Sequence, residues 1–188
     1  MTKELIRKEM KNKRLNLADW ERQQYNAAML TAFFTLREYS ECESLFAYVS
    51  FGTEPDTHLL IQKAVQDSKK VYVPRVEGPE MEFYRVSAIE GFEVSSFGIP
   101  EPQPDLTKRY DGTGDRQLML MPGLAFDLHG GRIGFGAGYF DKYLAKHPSE
   151  QFCKVALAYD FQIVPCLNTE QHDIGTDIIV TPTKIIYC

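Results

Sequence analysis

Five of the twelve residues from Gly130 to Asp141 are glycine, in a chain that has 13. The segment reads Gly130-Gly131-Arg132-Ile133-Gly134-Phe135-Gly136-Ala137-Gly138-Tyr139-Phe140-Asp141. Glycine loses extra backbone entropy on folding, so such a concentration needs a reason: positive φ, or a backbone brought close to a ligand. The segment leads into a helical pattern from Tyr139 to His147, and the first N–H groups of a helix have no partner inside it. Glycine loop and helix N-terminus together make an anion site suited to phosphate, and Arg132 would add a forked cationic donor. The spacing matches neither G-x-x-x-x-G-K-[ST] nor G-x-G-x-x-G. On spacing alone, a plain structural turn therefore stays open beside the phosphate cradle. Asp141 bears on the choice. A carboxylate in a first helical turn ordinarily just complements the helix dipole. Beside phosphate it would repel, unless Mg²⁺ bridged the two. Asp177, at the end of His172-Asp173-Ile174-Gly175-Thr176-Asp177, is the candidate second acid.

Five further residues could carry chemistry. Lys3 and Arg7 are four apart on a helical face, which is either a solvated basic stripe or a pair of phosphate contacts. Glu54 follows a strand, where a carboxylate is either an exposed loop acid or an acceptor for the N–H groups of a ligand. Tyr139 is either packing at a helix start or a stacking partner for a flat ligand. Arg75, after a strand, could reach a phosphate or another anionic group. His58, His129, His147 and His172 share no metal-ligand spacing, and no Ser/His/Asp arrangement stands out.

The elements that must position these residues follow from hydrophobic period. Residues 3–17 read as a helix with Leu5, Ile6, Met10 and Leu17 on one face and Lys3, Arg7, Lys11 and Arg14 on another. Asp19 is a plausible N-cap for a second helix carrying Trp20, Met29, Ala32, Phe33 and Leu36, so the two form a helical hairpin laid on a core. Strands are expected at 44–49, 70–74, 82–86, 117–121, 154–159, 177–180 and 184–187, with a helix over 57–68 and a long loop over 91–114. Strand–helix–strand order predicts an α/β fold: a mainly parallel sheet flanked by helices, with an N-terminal helical hairpin. Ligands in such sheets sit outside the carboxyl ends of the strands, at the loops 50–57 and 122–138.

Bulk properties bound the rest. A length of 188 residues suits a single domain over 1–188. A net charge of −5 argues against a general nucleic-acid surface. No apolar run reaches the roughly 20 residues of a membrane span. No targeting pattern is read at the N-terminus, and Cys42, Cys153, Cys166 and Cys188 form no C-x-x-C pair, so a cytoplasmic protein with reduced thiols is expected.

Several blocks, in order, resemble the 5-formyltetrahydrofolate cyclo-ligase family. They are Lys3-Glu4-Leu5-Ile6-Arg7, Tyr48-Val49-Ser50-Phe51-Gly52-Thr53-Glu54-Pro55-Asp56-Thr57, Val73-Pro74-Arg75, Phe97-Gly98-Ile99-Pro100-Glu101-Pro102, Met121-Pro122-Gly123-Leu124-Ala125-Phe126-Asp127 and Arg132 to Asp141. The resemblance covers nearly the whole chain. It implies an enzyme that converts 5-formyltetrahydrofolate to 5,10-methenyltetrahydrofolate with ATP as co-substrate and Mg²⁺ as cofactor, releasing ADP and phosphate. The formyl oxygen would be phosphorylated and folate N10 would attack the activated carbon. It further implies ATP contacts at Lys3, Glu4, Leu5, Ile6 and Arg7 and at Arg132, Ile133, Gly134, Phe135, Gly136, Ala137, Gly138, Tyr139 and Phe140. Folate contacts would come from Val49, Glu54, Phe135, Gly136, Ala137, Gly138 and Tyr139. Arg132 and Tyr139 would be catalytic, and Asp141 and Asp177 would be associated with the metal. Small-molecule substrates, no nucleic acid, no membrane and a monomer complete the expectation. The sequence departs from some relatives at Phe135 and Ala137, where Arg and Lys can stand, and at Phe140, where Tyr is usual. A non-catalytic folate- or nucleotide-binding regulator on the same scaffold is the alternative.

Overall fold

The computed structural model describes residues 2–95, 98–114, 116–147, 151–170 and 173–188. Phe97 and His172, named above, lie outside those ranges. Strand β1 (Ser44–Phe46) is buried along its length and lies between two parallel neighbours, β2 (Lys70–Glu77) and β6 (Gln117–Leu120). Continuous apolar runs such as Leu118-Met119-Leu120 belong at the centre of a parallel sheet, where both faces are covered. β9 (Phe152–Leu157) and β11 (Ile178–Val180) extend the parallel array. Antiparallel β3 (Glu80–Val86) and β12 (Ile185–Tyr187) close its two edges, giving the order β12-β11-β9-β6-β1-β2-β3. The mainly parallel sheet with flanking helices is thus as expected. At its heart the Phe46 ring stacks on Tyr72 at 4.8 Å and meets Phe83, Tyr110 and Phe152 edge-on. Offset and edge-on geometries are those the aromatic quadrupole favours.

A second, three-stranded sheet was not foreseen. β7 (Ala125–Asp127) pairs antiparallel with β8 (Arg132–Ile133) and parallel with β10 (Ile163–Val164). It explains a difference at the N-terminus. Helix α1 (Lys3–Leu15) lies on β7 and the 3₁₀ turn at Asp160–Gln162, with Met10 in a core of Leu124, Ala125, Ile133 and Leu167. Helix α2 (Asp19–Phe34) instead buries Met29 and Phe33 in the main core. The hairpin therefore acts as two helices on two sheets rather than as one slab. Asp19 is not the N-cap: Ala18 occupies that place, and its N–H donates to Glu21 Oε2 at 3.0 Å. Trp20, expected on the buried face, is 67% exposed. Leu36 starts a separate short helix, α3 (Arg37–Glu41), and α4 (His58–Gln66) and α5 (Tyr139–Lys146) are as read. Within 91–114, β4 (Glu93–Val94) and β5 (Pro100–Glu101) form a small antiparallel ribbon. No helix among the described residues is long and apolar enough to cross a membrane.

Candidate active site

A cavity of about 820 Å³ opens beside Tyr48 and Val49 after β1, Pro74 and Val76 in β2, and Pro122 after β6. These positions are carboxyl ends of parallel strands, where open α/β sheets bind ligands. The glycine-rich segment crosses the mouth, and its two halves do different work. Gly130 and Gly131 turn the chain between β7 and β8. Gly130 has φ 82° and packs so closely on residue 176 that a Cβ would overlap the Thr176 carbonyl oxygen. The buried Asp127 carboxylate ties the turn, accepting from His129 and Gly131 N–H through Oδ1 and from Leu167 N–H through Oδ2 at 2.8–2.9 Å. Gly134, Gly136 and Gly138 line the cavity. Gly136 (φ 115°) and Gly138 (φ 68°, the N-cap of α5) hold conformations that L-residues rarely adopt. Gly130→Ala is expected to lose about 2–4 kcal/mol of stability through backbone overlap and strain. Urea unfolding with an unchanged m-value measures it.

The basic helix contributes one face only. Lys3 and Arg7 line the cavity. Glu4 and Leu5 are exposed, and Ile6 packs toward Met10 behind the wall. Arg7 Nε donates to the Gly134 carbonyl at 3.0 Å, laying its guanidinium along the loop. Lys3 Nζ bonds Asp173 Oδ2 at 2.7 Å and Glu170 Oε1 at 2.9 Å. The Asp173 bond, then the Glu170 bond, hold the Lys3 ammonium's pKa above its ordinary value.

Arg132 is buried, and three of its N–H groups are already committed. They go to the carbonyls of Ile174 (3.2 Å) and Pro122 (3.0 Å) and to Asp141 Oδ1 (2.6 Å). It borders the cavity as a strut with two N–H groups left, not as a free cation. Asp141 Oδ1 also accepts from Ile174 N–H at 3.0 Å, so both bonds fall on one oxygen. Asp177 stands apart. It begins β11, accepts from Lys154 N–H at 2.7 Å and pairs with Lys154 Nζ at 2.9 Å, outside the cavity lining. Asp173, four residues earlier, is the aspartate of that segment that reaches the cavity. The extended path from Ile174 into β11 carries Asp177 past the site. Ile133 is likewise withdrawn into the small-sheet core.

On the β1 side, Val49 and Glu54 line the cavity with half-exposed Phe51 and Phe135, and Tyr139 joins them from α5. Phe140 lines it too while packing on Phe83 at 5.9 Å. Glu54 Oε2 accepts from Phe51 N–H at 3.1 Å. Burial pushes the Glu54 carboxyl's pKa up, and the Phe51 N–H and the charge of Arg14 pull it back. Glu101, 5% exposed on β5, is a cavity acid that the sequence reading quoted without a role. It accepts from Val76 N–H at 3.3 Å, and burial raises its pKa. Its setting between two prolines was the only signal. Arg75 does not line the cavity; its guanidinium donates to the Pro102 carbonyl at 2.7 Å and anchors that same segment.

A family model described as the 5-formyltetrahydrofolate cyclo-ligase family matches residues 1–182. The chain belongs to that family. The 5-formyltetrahydrofolate cyclo-ligase of Haemophilus influenzae is 31% identical over 180 residues, covering 93% of this chain and 95% of that one. The mouse 5-formyltetrahydrofolate cyclo-ligase is 27% identical over 93% of this chain and 91% of its own. The solution structure of the Aquifex aeolicus 5,10-methenyltetrahydrofolate synthetase superposes with a TM-score of 0.85 at 32% identity, covering 100% of this chain and 93% of that one. A cyclo-ligase is a ligase acting on folate.

Proposed function

We propose that the protein catalyses the ATP- and Mg²⁺-dependent cyclisation of 5-formyltetrahydrofolate to 5,10-methenyltetrahydrofolate in the cavity at the carboxyl ends of β1, β2 and β6. The observation that carries this reading is one cavity with two chemistries. One part has a glycine backbone, the N-terminus of α5, Lys3 and Arg7; the other has an apolar wall, aromatic rings and Glu54. The first suits a triphosphate, the second a flat heterocycle with N–H donors.

In this reading the N–H groups of Tyr139, Phe140 and Asp141, which precede the first intrahelical bond from Lys142 N–H to Gly138 O, are turned to phosphate. Arg7 and Lys3 add charge as the γ-phosphoryl group moves to the formyl oxygen and ADP leaves. N10 then attacks the formyl carbon and gives up its proton, and the oxygen leaves within phosphate. Glu54 accepts from the pterin, while Tyr139 and Phe135 flank it. The protein supplies proximity and charge; the nucleophiles belong to the substrate.

In this reading Asp141, with Asp173 as the neighbouring cavity acid, would hold the magnesium ion, whereas Asp177, expected in that role, lies outside the cavity lining. Among the described residues no group of three or more His, Cys, Asp or Glu could hold a metal by itself. That suits Mg²⁺, which is commonly held by one or two carboxylates plus substrate phosphates. In this reading Oδ2 of Asp141, opposite the oxygen that accepts from Arg132 and Ile174 N–H, would bind it. When bound, the ion would offset phosphate charge beside that carboxylate.

The test is direct. Purified protein with 5-formyltetrahydrofolate and MgATP should form the methenyl product, followed by its absorbance, with one ADP per product. Folate binding without ATP turnover would instead favour the regulator.

A further inference from the structure

Behind Glu54 the structure buries a charge that nothing yet described uses. Arg14, on the last turn of α1, is 1% exposed. Its Nε donates to the Thr53 carbonyl at 2.9 Å, and its Nη1 has no partner. A buried guanidinium with an unmet donor is costly unless its field is needed nearby. The same Thr53 carbonyl also accepts from Arg22 of α2 at 3.3 Å, and Arg22 reaches back to the Arg14 carbonyl at 2.9 Å. Asp56 N–H donates to Asn26 of α2 at 3.3 Å. The loop that carries Glu54 is therefore pinned at Thr53 and Asp56 to two helices resting on different sheets. The α1 basic stripe is not one solvated face: it ends in a charge facing inward.

We propose that Arg14 is the positioning residue for Glu54, fixing its loop through Thr53 and keeping its carboxylate ionised as an acceptor for the substrate. This rests on the reading that Glu54 contacts the folate. The charged and titratable groups acting with Glu54 are Arg14 from α1 and Tyr48 after β1, and on those two act in turn Arg22 from α2, Tyr159 after β9 and Asp56 in the loop. Of the cations, Arg14 is the one whose charge acts on Glu54. Removing it leaves burial, which favours the neutral acid, less opposed. Glu54 would then ionise only at higher pH.

The measurement is the pH profile of the dissociation constant for 5-formyltetrahydrofolate without ATP, by calorimetry, for the native protein, Arg14→Met, Arg14→Lys and Arg22→Met. Arg14→Met should weaken binding about tenfold or more at neutral pH, with the profile displaced to the alkaline side and affinity partly recovered as pH rises. Arg14→Lys keeps the charge and should keep the native profile position while binding more weakly. Arg22→Met loosens the loop but should not displace the profile. In a Glu54→Gln background the Arg14→Met displacement should vanish. An Arg14→Met profile that superimposes on the native one overturns the proposal, as does a displaced Arg14→Lys profile should the Met variant not fold. If Glu54→Gln alone binds normally, the reading of Glu54 fails first and separately.

Discussion

Asp141→Asn should lower turnover at saturating substrates by about 10²–10³-fold, the scale of losing one electrostatic contact to a transferring group. It should also raise the Mg²⁺ concentration needed for half-maximal activity. A second effect is predicted from the same bond. Arg132 is buried, and its 2.6 Å contact to Asp141 Oδ1 is its only carboxylate partner among the described residues. Asparagine can still accept from Arg132 and Ile174, but not as an anion. Asp141 is itself 20% exposed in its side chain, so the full cost of breaking a buried pair is discounted to about 1–3 kcal/mol. Two roles are thereby separable. If Asp141 only braces Arg132, activity loss follows the lost stability and is indifferent to Mg²⁺. If it also holds the ion, excess Mg²⁺ recovers part of the rate while the urea midpoint stays lowered. Unchanged kinetics at limiting Mg²⁺ would reject the metal role.

Regular elements were legible where hydrophobic period is strong: α1, α4, α5 and the buried strands β1, β6, β9 and β11 were placed within a few residues. The small sheet was hidden because β8 is two residues long and embedded in glycines, so neither period nor propensity marks it. Missing β8 made one feature of what are two. The glycine segment looked undecided between a turn and a phosphate cradle because its two halves do different work, Gly130–Gly131 turning the hairpin and Gly134–Gly138 lining the cavity. Asp177 was read as the second acid beside Asp141, and the fold carries it past the cavity lining, because a strand entry exposes only some of its residues to a given site. Arg14 was read as one of four cations on a helical stripe. Helical spacing places it on a face, but only the tertiary fold shows that the 50–57 loop covers the end of that face. Trp20 is the converse, an aromatic at core spacing left in solvent because α2 meets the sheet further along.

Glu54→Gln should weaken 5-formyltetrahydrofolate binding about 10–100-fold at neutral pH, the worth of a charged hydrogen bond plus the donors left unmet. It should leave stability unchanged or slightly raised. The two signs come from one cause. Burial raises the Glu54 pKa in the folded protein. A carboxyl raised in this way favours folding in its protonated form. That contribution is fully present below the unfolded pKa and is lost as pH rises through the folded one. At neutral pH the ionised Glu54 is therefore a cost to the free protein, and glutamine removes it while keeping an acceptor for Phe51 N–H. A loop acid without function would show the reverse or nothing. Protonation should mimic the substitution: as pH falls through the raised Glu54 pKa, native affinity should drop toward that of the glutamine variant, and the gap between them should close. A gap that stays constant across that range would mean that the charge on Glu54 is not what the folate reads.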